Sequence, residues 1–111
     1  MRTRSVVAVV LALAGCSAHR VTPERAKKMV TAGARLVDVR SPEEYGSGHL
    51  DGAVNIPVGE LEQRLAELEP KSQAVVVYCA SGFRSARAAK TLAQAGFSEV
   101  GDLGAMEDWP K

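Results

Sequence analysis

The sequence predicts an α/β domain with a mainly parallel central sheet flanked by helices. Short, apolar, β-branched segments alternate along the chain with amphipathic segments at helical spacing, and residues 74–78 are apolar at every position. Alternation of this kind places helices on both faces of a parallel sheet. A strand covered on both faces carries no polar alternation. The length of 111 residues allows one domain, and no internal repeat or low-complexity tract divides it.

The first half of this domain has clear start and stop signals. Thr22 and Pro23 form an N-cap with proline at the first helical position, and Gly33 is placed to end that helix. Residues 36–39 are the first predicted strand. Ser41 begins a capping box that predicts a short helix ending near Gly46. The next predicted strand, residues 53–56, is closed by proline.

The second half continues the alternation. Leucines at helical spacing predict a third amphipathic helix that ends before Pro70; they are Leu61, Leu65 and Leu68. The fully apolar strand 74–78 follows, and an alanine-rich helix spans residues 84–95 with Gly96 as its C-cap. Residues 99–103 form a weaker strand, and residues 105–109 form at most one turn.

Cys79 is the candidate nucleophile, because a buried strand delivers it to a glycine-containing loop at a helix N-terminus. Backbone N–H groups and the helix dipole stabilise an anionic sulfur in such a place. The pKa of the thiol then falls toward neutrality. The alternative is an inert core cysteine after a strand. Arg84, in the first turn of the same helix, favours the interpretation of Cys79 as a reactive nucleophile.

The N-terminus predicts export. Arg2 and Arg4 form a basic region before nine apolar residues, 6–14, which are too few for a membrane span of about 20 residues. The run ends in Leu-Ala-Gly-Cys, which resembles the bacterial lipobox, so we expect residues 1–15 to be a signal peptide and Cys16 to carry lipid. Residues 16–21 are then a tether and 22–111 the domain. The alternative is a soluble periplasmic protein cleaved near Ala18. Ser17 favours the outer membrane, because it is not the aspartate that commonly retains lipoproteins in the inner membrane.

Charge and cysteine content narrow the function classes. Without residues 1–15, 12 basic side chains face 13 acidic ones, a net charge of −1 that gives no support for nucleic-acid binding. Once Cys16 is lipidated or removed, Cys79 is the only thiol, so no intramolecular disulfide is possible. The two histidines, His19 and His49, stand apart without the spacing of metal ligands.

Three segments together resemble the single-domain rhodaneses, a family of sulfurtransferases. Residues 38–45 and 48–57 match the family's two N-terminal signatures, and residues 78–85 match its active-site loop. The match covers about residues 36–109 and is most similar to the small exported rhodaneses of the phage-shock protein E type. The resemblance implies a rhodanese-like fold, a Cys79 persulfide and no metal or organic cofactor.

The loop length argues against phosphatases and arsenate reductases of related fold, which carry Cys-x5-Arg. Cys79 and Arg84 form Cys-x4-Arg, a smaller ring that suits one extra sulfur. The expected substrate-binding residues are Arg84, for the donor's anionic group, and the loop residues that ring the sulfur: Ala80, Ser81, Gly82, Phe83 and Ser85. Ala80 and Phe83 replace polar or charged residues frequent in the family, which leaves the preference for thiosulfate open. Ser81 and Ser85 either donate to the outer sulfur or cap the helix.

Several other residues are expected to be structural. Asp38 and Arg40 have two interpretations, a catalytic role and a structural ion pair; the position of the aspartate at a strand end and of the arginine near Glu43 or Glu44 favours the ion pair. His49 is assigned to structure because a pre-ionised thiolate needs no base. The single tryptophan is expected to pack against the end of the sheet.

The resulting hypothesis is a monomeric sulfurtransferase that moves a sulfane sulfur from a small anionic donor such as thiosulfate to cyanide or a thiol. The transfer is a double displacement through the Cys79 persulfide. Two alternatives stay open: a module that stores or senses oxidised sulfur without turnover, and a sulfur carrier for a periplasmic redox protein.

Overall fold

The computed structural model describes residues 18–111, which form five strands, three α-helices and two 3₁₀ segments. The strands are β1 (Ala18–Arg20), β2 (Arg35–Asp38), β3 (Val54–Asn55), β4 (Val75–Cys79) and β5 (Val100–Ala105). The α-helices are α1 (Pro23–Thr31), α2 (Pro42–Ser47) and α3 (Phe83–Gln94). The 3₁₀ segments are Val58–Leu68 and Met106–Asp108.

All strand pairs of the sheet are parallel, in the order β1-β5-β4-β2-β3. The predicted α/β class is therefore confirmed. Strand β4 lies at the centre, and all five of its residues are buried. Because the strands run in one direction, their carboxyl ends meet at one edge, where such sheets place their sites. Cys79 is the last residue of the central strand.

Two apolar cores cover the two faces of the sheet. On one face, α3 and the segment Val58–Leu68 pack on alternate residues of the central strands. On the other face, α1 and the C-terminal turn pack on the intervening residues, and Trp109 is partly buried there, as expected. The double cover explains why β4 is apolar throughout.

The segment expected to be a tether is in part a strand. Ala18–Arg20 pairs in parallel with Val100, Gly101 and Asp102 of β5, and the Val21 N–H donates to the Asp102 carbonyl at 3.0 Å. The backbone of β5 would otherwise present an unpaired edge. Pairing on an edge depends on backbone groups, so the polar sequence of this segment carried no signal of it.

The third predicted helix is present in a different form. Val58–Leu68 is 3₁₀ rather than α, and its backbone is non-helical at Arg64, with φ −119° and ψ 18°. Arg64 there binds Glu60 and Glu67, at 3.0 and 2.8 Å. The leucine spacing still buries Leu61 and Leu68, because a kinked segment can present the same apolar face.

The other predicted elements are present, with ends shifted by one or two residues. Helix α2 continues to Ser47, one residue past the predicted end at Gly46, and helix α3 begins at Phe83. Strand β3 keeps only two of its four predicted residues. No helix within residues 18–111 has the length and apolarity to cross a bilayer.

Candidate active site

Cys79 lies at the end of β4 with its side chain buried, facing the start of helix α3. The Gly82 N–H donates to Sγ at 3.0 Å, and the Ser85 N–H donates to it at 3.3 Å. Gly82 has φ +108°, a left-handed conformation that favours glycine. The loop therefore bends back on the sulfur and directs backbone donors at it, as the sequence predicts.

Opposing effects set the pKa of Cys79. Burial, the largest of them, would raise the pKa of the thiol. The Ser85 hydroxyl and the backbone N–H groups of Ser85, Gly82 and Ser81 act in the other direction and outweigh burial, so the pKa lies below its ordinary value. The Ser85 hydroxyl has one proton, which can turn from the Gly82 carbonyl oxygen, 3.2 Å away, to the sulfur. The site therefore favours the thiolate.

We expect Ser85→Ala to raise the pKa of Cys79, because the buried hydroxyl is the strongest of the groups that lower it. The pH midpoint of Cys79 alkylation by iodoacetamide, followed by mass spectrometry, should move to higher pH, and the rate at neutral pH should fall. Ser81→Ala is the matched control, because Ser81 acts on the sulfur through its backbone and its side chain is exposed. Equal midpoints in the two variants would contradict this role of the Ser85 hydroxyl.

Arg84 is not a solitary cation. Its Nη1 donates to Glu44 Oε1 at 2.6 Å and its Nη2 to Glu44 Oε2 at 3.1 Å, a two-pronged ion pair. Arg84 first, and then the Ser41 backbone N–H, lower the pKa of Glu44 to about 2. The pair is therefore ionised at any physiological pH. The role of Arg84 toward a donor remains a prediction, and any anion would meet this arginine together with Glu44.

Sequence reasoning missed Glu44 as a residue of the site. It interpreted the capping box as a helix start, and that part is present: the Ser41 hydroxyl accepts from the Glu44 N–H, and Glu44 accepts from the Ser41 N–H. The two carboxylate oxygens of Glu44 can accept more hydrogen bonds than the one from the Ser41 N–H. This unused acceptor capacity was the available signal in the sequence. No local sequence pattern indicates that Arg84, 40 positions away, donates to these oxygens.

The remaining loop residues differ in the exposure of their side chains. The side chains of Ala80 and Ser81 are exposed, and Phe83 is 86 % exposed. These residues contribute loop backbone, and only Ser85 adds a buried hydroxyl. Cys16, the predicted lipidation residue, lies outside the described residues.

The structural pair predicted at Asp38 and Arg40 joins these two residues to each other. Arg40 Nη2 lies 2.7 Å from Asp38 Oδ2, both side chains are buried, and the arginine also donates to the Gly48 carbonyl at 2.7 Å. Neither Glu43 nor Glu44 forms a salt bridge with it, so the partner suggested by the sequence was wrong. The pair ties β2 to the loop after α2.

His49 is exposed and stacks on Tyr45 at 3.7 Å, with its Nδ1 2.9 Å from the Tyr45 carbonyl oxygen. These contacts agree with its structural assignment. Across residues 18–111, no three His, Cys, Asp or Glu side chains gather in a way that could hold a metal ion.

Comparison with known proteins agrees with the fold and the loop. Residues 22–111 match the Rhodanese-like domain family. Over 80 residues the chain is 39 % identical to thiosulfate sulfurtransferase PspE of Escherichia coli, covering 71 % of this chain and 77 % of that protein. It is 41 % identical over 75 residues to the putative sulfur carrier protein YrkF of Bacillus subtilis, covering 67 % of this chain and 40 % of that protein.

Among solved structures, the human single-domain sulfurtransferase TSTD1 superposes with a TM-score of 0.74 at 30 % identity. The superposition covers 81 % of this chain and 93 % of that one. The fold, the cysteine loop and these matches agree, and the chain belongs to the rhodanese-like family of sulfurtransferases.

Proposed function

We propose that this protein transfers a sulfane sulfur from a small anionic donor such as thiosulfate to cyanide or a thiol, through a persulfide on Cys79. The observation that supports it most is the buried sulfur with two backbone N–H donors at 3.0 and 3.3 Å. Donors placed in this way stabilise a negative charge on the cysteine sulfur, the form that attacks the donor and that returns when the persulfide gives up its outer sulfur. The relative in Escherichia coli carries the name thiosulfate sulfurtransferase.

In the first step the Cys79 thiolate attacks the outer sulfur of thiosulfate. A new S–S bond forms at Sγ, the sulfur–sulfur bond of the donor breaks, and its electron pair leaves with sulfite. No proton moves, because the nucleophile is already ionised. Charge on the departing sulfonate falls near Arg84, whose guanidinium is suited to oxyanions.

In the second step cyanide or a thiolate attacks the terminal sulfur of the persulfide. Thiocyanate or a new persulfide leaves, and the electron pair of the broken S–S bond returns to Sγ of Cys79. The N–H groups of Gly82 and Ser85 are placed to stabilise that thiolate again. The cycle closes without a change of net oxidation state in the protein.

Steady-state kinetics with thiosulfate and cyanide test this proposal. A double displacement gives parallel lines in double-reciprocal plots, because the two substrates never meet on the enzyme. We expect that pattern together with equal yields of sulfite and thiocyanate. Intersecting lines would indicate a ternary complex and contradict a free persulfide form, and the absence of turnover would contradict the enzyme.

A sulfur carrier is the second candidate. It is favoured by the likeness to a putative sulfur carrier protein and by Phe83, which places an 86 % exposed aromatic ring directly beside the loop. A carrier would accept sulfur on Cys79 once but release it slowly to cyanide. One rapid turnover followed by slow turnover with small molecules would favour the carrier over the enzyme.

We also propose that the protein is exported and anchored by lipid on Cys16. The basic residues, the nine apolar residues and the Leu-Ala-Gly-Cys sequence support this. Because β1 begins at Ala18, a lipidated Cys16 would hold the domain close to the bilayer surface. Two or three acyl chains make such an anchor effectively permanent, at about 0.8 kcal/mol per buried methylene.

We expect the full chain, expressed in a bacterium, to fractionate with the membrane and to take up a labelled fatty acid. Cys16→Ala should lose the label and leave the membrane fraction. Unlabelled wild-type protein in the soluble periplasm would contradict the anchor, while the signal peptide would stand.

A further inference from the structure

Glu44 links the helix before the site to the arginine of the catalytic loop. One oxygen, Oε1, accepts from both the Ser41 N–H at 3.0 Å and Arg84 Nη1 at 2.6 Å. The other, Oε2, accepts from Arg84 Nη2 at 3.1 Å. The carboxylate is thus fixed from two sides, by the start of α2 and by the first turn of α3.

The pair lies at the surface, within electrostatic reach of the nucleophile. The side chains of Arg84 and Glu44 are 37 % and 36 % exposed, so an incoming solute can reach both. Arg84 lies in the chain between Gly82 and Ser85, whose N–H groups donate to Cys79 Sγ at 3.0 and 3.3 Å. Glu44 has the largest part in raising the pKa of Arg84, and the charge on Cys79 adds to it. Charges at this pair are therefore sensed at the sulfur.

The geometry leaves Arg84 with unused N–H donors, while the ion pair that it forms with Glu44 carries no net charge. Glu44 occupies one N–H of Nη1 and one of Nη2, and a guanidinium carries five N–H groups. Arg84 can still donate to an oxyanion through the remaining N–H groups. The nearby carboxylate, however, cancels the long-range attraction that a free arginine would exert and repels the same anion.

We propose that Glu44 is a positioning residue that sets the charge preference of this site. It holds the guanidinium of Arg84 and lowers the site's attraction for doubly charged donors relative to neutral or less charged reactants. This inference rests on the proposed function of Cys79 as the nucleophile toward an anion. It predicts that the native site is not optimised for thiosulfate.

The test compares two alkylating reagents of similar size, anionic iodoacetate and neutral iodoacetamide, on Cys79 of the full chain. Mass spectrometry of the Cys79 peptide gives both rates at low ionic strength. Their ratio cancels any change in thiolate population, so it reports the potential at the sulfur. Glu44→Gln keeps an oxygen that can accept from Ser41 and Arg84 while losing the charge.

We expect Glu44→Gln to raise the iodoacetate-to-iodoacetamide rate ratio about two- to five-fold, and added salt to reduce the gain. Glu43→Gln is the matched control, because Glu43 is exposed one residue away and forms no salt bridge among residues 18–111. Its ratio should equal that of wild type. A Glu44→Gln ratio equal to that of wild type, whether or not both rates fall, would overturn the inference and leave Glu44 with a purely structural role.

Thiosulfate treatment of the same variants separates this inference from the proposed function. A shifted alkylation ratio without any mass gain from sulfur would contradict the proposed sulfur transfer and support the charge effect of Glu44. A sulfur gain with an unshifted ratio would overturn the inference alone. With both intact, Glu44→Gln should also lower the KM for thiosulfate several-fold and change kcat less.

Discussion

Thiosulfate is expected to increase the mass of the protein by about 32 Da, one sulfur atom, and a thiol should reverse the gain. In a chain whose Cys16 is replaced by alanine, Cys79 is the single thiol. Cys79→Ser keeps the size and the surrounding N–H groups of the site and removes the sulfur. The expected result is loss of the mass gain and of thiosulfate turnover, measured by intact mass spectrometry and thiocyanate formation.

The size of this effect follows from the mechanism. A serine hydroxyl stays protonated near neutral pH, and the N–H groups of Gly82 and Ser85 have no anion to stabilise. The serine therefore supplies neither the thiolate nucleophile nor the sulfur atom to which the transferred sulfur would be bonded. The same mass gain in wild type and Cys79→Ser would show that another residue carries the sulfur.

The local part of this site was predictable from sequence. An apolar strand, a glycine three residues after the cysteine and an alanine-rich helix are short-range signals, and together they specify the bend that points N–H groups at Sγ. Each depends on backbone conformation that a few neighbouring residues determine. The sequence alone therefore predicted the backbone N–H donors that surround Cys79 Sγ.

The non-local part was not predictable in the same way. Glu44 reaches Arg84 across 40 positions, and its local pattern is complete once the Ser41 cap is formed. Strand β1 pairs through its backbone with an edge 82 residues away, from Ala18 to Val100, and its side chains carry no trace of it. Both contacts exist because the fold brings distant segments together. Because of them, Arg84 is part of an ion pair and residues 18–20 are part of the sheet.

Arg84→Ala should lower kcat/KM for thiosulfate about 10- to 100-fold, the equivalent of about 1.5–3 kcal/mol for a charge-assisted contact made in the transition state. Two effects act in the same direction. The variant loses the guanidinium that would receive the departing sulfonate, and it leaves the Glu44 carboxylate without its partner, facing the same anion.

The matched control for this variant is Arg87→Ala, which removes the same charge from an exposed position one turn further along α3. It should change thiosulfate kinetics little. Iodoacetamide, being neutral, reports on the shape of the loop, and its rate with Cys79 should stay within a few-fold of wild type in Arg84→Ala. If that neutral rate fell as steeply as thiosulfate turnover, Arg84 would act by holding the loop through Glu44, and the contact with the donor would have to be assigned to the backbone ring alone.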